Sequence, residues 1–286
     1  TNMSSCNKSL RSMKFDYLVL DECSQQTIPS TFVALAHKIK KVVLIGDHKQ
    51  LPPCILEESI SGSSAYGVSL FEMLLTQNPG SHVMLNVQRR MHKFIAHFPS
   101  KVWYDNKLQT PEDILVRKKL NSLFHGFQFP NRGTPICFIN SKRGWQAKGG
   151  FGSFSSKNDA EAKIVCDIVK NCVRAGMKES QIGVITQYKA QEKLIFKTLK
   201  YDRRLEDVSV GTVDSFQGSE RELIILSCVR TSGDISFIEN QNRLNVSFTR
   251  AKQGMIVVGN RKCLESSQIF WEWFKFVDHF KLQKDF

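Results

Sequence analysis

A chain of 286 residues allows one large or two medium domains, and 41% hydrophobic residues is enough to build real cores. No apolar run approaches the ~18 residues of a membrane-spanning helix, and the start, TNMSSCNKSL, has neither the charged nor the apolar region of a signal peptide. The 40 Lys and Arg outweigh 27 Asp and Glu to give +13, an excess that suits a polyanionic partner such as nucleic acid; a basic surface with no dedicated ligand is the alternative, and charge alone does not choose between them. The eight cysteines form no C-x-x-C pair and no zinc-like run with histidine, so they read as reduced thiols of an intracellular protein, cytoplasmic or nuclear.

Short apolar runs alternate with helical patterns along the chain. Strands are expected at Tyr17–Leu20, Lys41–Ile45, Val83–Val87, Pro135–Ile139, Ile182–Thr186, Val208–Val213, Leu223–Val229 and Met255–Gly259. Most lack period-two alternation, which suits parallel strands buried on both faces. Helices are expected at Ser69–Thr76, Asn158–Arg174, Lys189–Leu199 and Arg243–Lys252. This alternation predicts an α/β fold with parallel sheets. The turn NPGS, Asn78–Ser81, marks a boundary between domains at 1–80 and 81–286. Ser141–Lys157, rich in Gly, Ser and Lys, reads as a mobile surface loop; its GGFG lacks the G-K-[ST] ending of a phosphate loop. In the C-terminal FWEWFKFVDHF, Phe270, Trp273, Phe274 and Val277 fall at helical spacing and read as a packing face.

The first strand ends in two carboxylates, Asp21 and Glu22. Ligands of parallel sheets bind at the carboxyl ends of strands. There Mg²⁺ takes one carboxylate plus phosphate oxygens and waters, and a second carboxylate can orient or deprotonate an attacking water. An apolar run followed by Asp-Glu also opens ordinary loops, so the pair alone does not decide. The second strand runs into GDHKQLPP, Gly46–Pro53, where Asp47 and Gln50 bring polar groups to the same sheet edge.

DECSQ and GDHKQLPP resemble motifs II and III of superfamily 1 helicases. LNVQRRMH (Leu85–His92) resembles motif IV, and FPSKVWYDNKL after it the usual continuation. IGVITQYKAQ (Ile182–Gln191) resembles the opening strand and helix of the second domain, GTVDSFQGSERELIILSCVR (Gly211–Arg230) motif V, and RLNVSFTRAKQGMIVVGN (Arg243–Asn260) motif VI. The resemblance is to the 5′→3′ branch that holds the nonsense-mediated-decay helicase, the immunoglobulin-mu-binding helicase and senataxin, and it covers nearly the whole chain.

The resemblance implies tandem RecA-like domains with ATP in the cleft between them, and translocation along single-stranded RNA or DNA. By that resemblance Asp21 holds Mg²⁺, Glu22 activates water, Gln50 senses the γ-phosphate, and Arg90 and Arg250 act as arginine fingers. Guanidinium forks suit the phosphate oxygens of phosphoryl transfer. Glu220 is expected near the ribose, and Gly218 to let backbone approach closely. Thr212 is expected to line the nucleic-acid channel. Arg89 stands where the family usually has Tyr, and Lys93 where it has Pro; a guanidinium plane can also stack on a base. Lys142, Arg143, Trp145, Lys148 and Phe151 combine cations with aromatics, as single-strand sites do.

No G-x-x-x-x-G-K-[ST] occurs in the chain. In the family it precedes the Asp-Glu strand, so the first domain is expected to be truncated at its N-terminal side and this chain alone inactive in ATP hydrolysis. A different class of function, a non-catalytic nucleic-acid-binding relic acting as a scaffold, is the alternative.

Overall fold

The computed structural model describes residues 13–37, 39–55, 67–115, 126–131, 133–150 and 155–285, with Ser5, Asn7 and Leu10. The chain divides into two units, Thr1–Met84 and Leu85–Phe286.

In the first unit, β1 (Tyr17–Leu20) and β2 (Lys41–Leu44) pair in parallel, Tyr17 opposite Lys41 and Leu20 opposite Leu44. Helix α1 (Ile28–Leu35) connects them. Its Thr27 cap accepts a hydrogen bond from the Ser30 N–H, and Pro29 lies in the first turn, where a missing N–H costs nothing. A second helix, α2 (Leu70–Gln77), starts at a Ser69 cap. Leu20, Cys23 and Ala34 form the small core, with Leu18, Leu44 and Phe71 packed against it. The expectation that these strands are buried on both faces fails here: Tyr17 is 66% and Val19 60% exposed, and Val43 is exposed beside them. Tyr17, Val19 and Val43 share one face of the ribbon, and among the described residues no layer covers that face.

The second unit holds a six-stranded sheet in the order β10-β3-β9-β8-β6-β7, every neighbouring pair parallel. The strands are β3 (Ile136–Asn140), β6 (Ile182–Thr186), β7 (Ser209–Thr212), β8 (Arg221–Ser227), β9 (Ala251–Gly259) and β10 (Gln283–Asp285). Ile182 and Val184 alternate toward a core shared with Val165, Val169, Ile195 and Leu199, residues of α3 (Asp159–Arg174) and α4 (Lys189–Lys200). The opposite face is aromatic. Phe138 of β3 meets Phe274 edge-on with ring centroids 4.9 Å apart, and Trp273 at 5.6 Å. Both belong to α5 (Gln268–His279), where Phe270, Trp273, Phe274 and Val277 are buried. The helical spacing of the C-terminal aromatics is therefore a packing face.

Three expected elements differ. Val83–Val87 forms no strand; Val83 and Leu85 are exposed, and only Val87 bridges to Gln109. The helix expected over Arg243–Lys252 is α6 (Gln241–Phe248), after which the chain enters β9 at Ala251, four residues earlier than the apolar run suggests. Gly144 to Gly150 is not a free loop. Ala147–Lys148 and Ser156–Lys157 pair as a short antiparallel hairpin of β4 and β5, and Gln146 ties it to Thr231. Phe151, expected at a single-strand site, lies outside the described residues.

Candidate active site and nucleic-acid interface

In the first unit the site begins where two strands end together. The Ile45 N–H donates to Leu20 O at 2.8 Å and the Cys23 N–H to Ile45 O at 3.0 Å, so the segments after β1 and β2 leave the sheet in contact. Gly46 permits this. A Cβ there would lie 2.9 Å from the Ser24 backbone nitrogen and 3.2 Å from Cys23 Sγ. The Asp47 N–H then donates to Ser24 Oγ at 3.2 Å. These bonds bring Asp21 and Glu22 to the same edge as Asp47 and Gln50.

Asp21 and Glu22 are both exposed. Glu22 takes a left-handed backbone, φ 52° and ψ 34°, uncommon for a residue with a side chain. Its N–H donates to Asp21 Oδ1 at 2.9 Å, and its Oε2 accepts from Gln25 Nε2 at 2.8 Å. Gln50 donates through Nε2 to Asp47 Oδ2 at 2.9 Å. Among the described residues no cluster of three or more His, Cys, Asp or Glu could cage a metal. The donor set does fit Mg²⁺, which uses one or two carboxylates and takes its other oxygens from phosphates and water.

The second unit gathers a different group, at the amino edge of its sheet. Glu220 immediately precedes β8 and Arg250 immediately precedes β9. The Arg221 N–H donates to Arg250 O at 3.1 Å, and the His92 N–H to Lys252 O at 2.7 Å, which seats the Gln88–His92 segment on β9. Arg90 donates from Nε to Glu220 Oε2 at 2.5 Å and from Nη1 to Thr249 O at 3.1 Å. Lys252 Nζ lies 2.8 Å from Glu220 Oε1. Partial burial works against the charged form of Glu220, but the bonds from Lys252 and Arg90 outweigh it and hold the carboxyl down at about 2. Glu220 thus joins two cations, a role that its turn-like GSER setting did not suggest. Lys252 and Thr249 were missed in the sequence reading; the signal available was their position flanking Arg250.

Arg250 is 2% exposed, neither on a helix nor on a solvated face. Its Nε donates to Val246 O at 3.1 Å and its Nη2 to Thr249 Oγ1 at 3.0 Å, at the C-terminal end of α6, where a cation is favoured. Arg89 is exposed and paired with Asp113 at 2.9 Å. Gly218 has φ +75° and nothing within 4 Å of the position a Cβ would take. Its left-handed turn favours glycine, and the space beside it is open among the described residues.

The carboxyl edge of the same sheet carries the other candidates. Thr212 ends β7, opposite Thr186, and its carbonyl accepts from Ser215 Oγ at 2.8 Å. Lys142 and Arg143 follow β3; Lys142 is paired with Asp285 at 2.7 Å, and Arg143 and Trp145 are exposed, Trp145 by 80%. The sheet therefore separates the arginine group, at one edge, from the aromatic and basic group, at the other.

Comparison with known proteins places the chain in a family. Two family models, each described as an AAA domain, match residues 1–58 and 66–262, the second more than half of the chain. A regulator of nonsense transcripts 1 homologue of Neurospora crassa is 34% identical over 282 residues, which is 96% of this chain and 25% of that protein. The ATP-dependent helicase NAM7 of Saccharomyces cerevisiae is 34% identical over 94% of this chain and 27% of its own length. An uncharacterised ATP-dependent helicase of Methanocaldococcus jannaschii is 34% identical over 97% of this chain and 41% of its length. The chain thus spans about a quarter of the first two relatives and less than half of the third. With the motifs in order on two parallel α/β units and both family models matched, the chain belongs to the superfamily 1 helicases of the nonsense-transcript-regulator type.

Proposed function

We propose that this chain is the C-terminal motor portion of an ATP-dependent helicase or translocase that moves along single-stranded RNA or DNA. The observation that carries the reading is the convergence, at the end of β1 and β2, of Asp21 and Glu22 with Asp47 and Gln50 across Gly46. Glu22 orients and deprotonates the attacking water. Its carboxylate is held by Gln25 and its backbone is turned out of the strand. Mg²⁺, when bound through Asp21, supplies charge neutralisation on the transferred phosphate. Gln50, restrained by Asp47, reports the state of that phosphate.

Arg90 and Arg250 supply the guanidinium charge. Glu220 and Lys252 hold Arg90 in place, so Glu220 acts as a positioning residue. Arg89 stacks on the base in place of an aromatic ring. The chain has no G-x-x-x-x-G-K-[ST], so hydrolysis by this chain alone is expected to be negligible, and the phosphate loop is expected upstream in the full gene product.

Arg250→Ala tests the assignment in that full product. Strand-stimulated ATP hydrolysis is expected to fall about a thousand-fold, the magnitude of arginine-finger effects, with nucleotide binding retained. Unchanged turnover would remove Arg250 from the site.

A further inference from the structure

One strained turn lies outside everything assigned so far. Val229, just past the end of β8, has φ 71°, a conformation that is an outlier for a β-branched residue. The Arg230 N–H donates to Cys228 O at 2.8 Å, which makes residues 228–230 a γ-turn of the rare, strained kind. Such strain persists only where surrounding structure over-determines it, and it clusters at functional sites.

The surroundings here are unusually committed. Glu161, fully buried at the start of α3, accepts the Val229 N–H at 2.8 Å and Ser227 Oγ at 2.7 Å through the same oxygen, Oε1. Asn158 donates to Val229 O at 3.3 Å. On the far side, the Thr231 N–H donates to Gln146 Oε1 at 2.9 Å and the Gln146 N–H to Thr231 Oγ1 at 3.2 Å. The turn is thus clamped between a helix start and the hairpin that presents Trp145.

What the clamp holds out is Arg230. Its Nη2 donates to Ser232 O at 3.1 Å, while its Nε is buried without a partner. Among the described residues it makes no ion pair. The nearby carboxylate of Asp234, whose ionised form Arg230 favours from a distance, is occupied by the Ser236 N–H and Oγ, each at 2.8 Å. Lys142 of the same edge, by contrast, already has Asp285.

We infer that Arg230 is a phosphate contact for a single nucleic-acid strand at the carboxyl edge of the six-stranded sheet, the edge that also carries Trp145, and that Glu161 is its positioning residue, acting through the Val229 turn. The inference rests on the nucleic-acid reading above and adds to it a cation that the sequence motifs did not single out. A guanidinium with no ion pair among the described residues, on strained backbone, matches an external anion, and the exposed indole of Trp145, next in the chain to the Gln146 that clasps Thr231, matches a base.

The test is fluorescence anisotropy with labelled oligouridylate and oligothymidylate on this chain, over a salt series. Wild type is expected to bind, with affinity falling as salt rises. Arg230→Ala is expected to weaken binding at least about five-fold and to reduce the slope of log affinity against log salt by ~0.7, one phosphate contact. Arg230→Gln, which retains a donor for Ser232 O, gives the same comparison should the alanine variant unfold. Glu161→Ala is expected to weaken binding too, and in the double variant to add nothing beyond Arg230→Ala. A merely structural Glu161 would add its loss to the other. Wild-type binding with Arg230→Ala and Arg230→Gln unchanged in affinity and slope overturns this assignment alone. No binding by wild type sinks the nucleic-acid reading and this assignment with it.

Discussion

Arg90 and Glu220, 130 residues apart in the chain, meet through Nε and Oε2 at 2.5 Å at the amino edge of the six-stranded sheet. The side chains are about one-third exposed, 31% and 37%, so the pair contributes little to stability, under about 1 kcal/mol. In the proposed mechanism its value is orientation. Glu220→Gln is expected to lower strand-stimulated turnover by ~10-fold or more in the full gene product, with nucleotide affinity nearly unchanged. A cycle with Arg90→Ala separates positioning from direct contact: the double variant is expected to be no slower than Arg90→Ala alone. Additive losses would show Glu220 acting independently of Arg90.

Gly46→Ala attacks the other group. The new Cβ would meet the Ser24 backbone nitrogen at 2.9 Å, and backbone gives way less readily than a side-chain tip. A loss of about 1–3 kcal/mol is expected, read as a lowered melting temperature of the first unit, together with displacement of the loops carrying Glu22 and Gln50. An unchanged melting temperature would show that the two segments are free to part.

Glu161 gives the protein a pH signature. Burial raises its carboxyl from 4.5 to about 7, against hydrogen bonds from Ser227 and the Val229 and Cys228 backbone that favour the ionised form. The thiol of Cys228, facing it, is pushed up by its own burial and by Glu161. The folded state therefore holds a proton that the unfolded state releases earlier. Glu161's contribution to stability is present below pH 4.5 and is lost as pH rises toward 7. Denaturant melts at pH 5 and pH 7.5 should show a decline for wild type that is reduced in Glu161→Gln. An identical pH dependence in the variant would contradict the assignment of this titration to Glu161.

The parallel strands of the second unit were legible because runs such as IGVIT and the LIIL of RELIILS are apolar on successive residues, as strands of a sheet covered on both faces are. The same rule misread Val83–Val87, where Val83 and Leu85 face solvent. It also misread β1, whose outer row of Tyr17 and Val19 lacks a cover among the described residues. Composition records that residues are apolar, not what lies against them. The start of β9 was hidden for a related reason: Ala251, Lys252 and Gln253 look helical in sequence, but Ala251 pairs with Arg221 and the next two residues fall in a register shift before Gly254 meets Leu223.

The candidate site was legible where motifs run contiguously, as in DECSQ and GDHKQ. It was not legible where it depends on contacts between distant segments. Nothing local tells that Glu220 will bind Arg90 and Lys252, that Arg250 will fold onto Val246 and Thr249, or that Gln146 will clasp Thr231. The strain at Val229 is equally silent in sequence, since valine in SCVR is an ordinary strand residue until the fold turns it to positive φ.

The most direct test is steady-state ATP hydrolysis by the full gene product, with and without a single-stranded oligonucleotide, beside Glu22→Gln. The account predicts stimulation of the wild type by the strand. In the variant it predicts a loss of turnover of roughly 10²–10⁴-fold, the range for a general base, with ATP still bound. Wild-type turnover in Glu22→Gln, or hydrolysis indifferent to the strand, would contradict it.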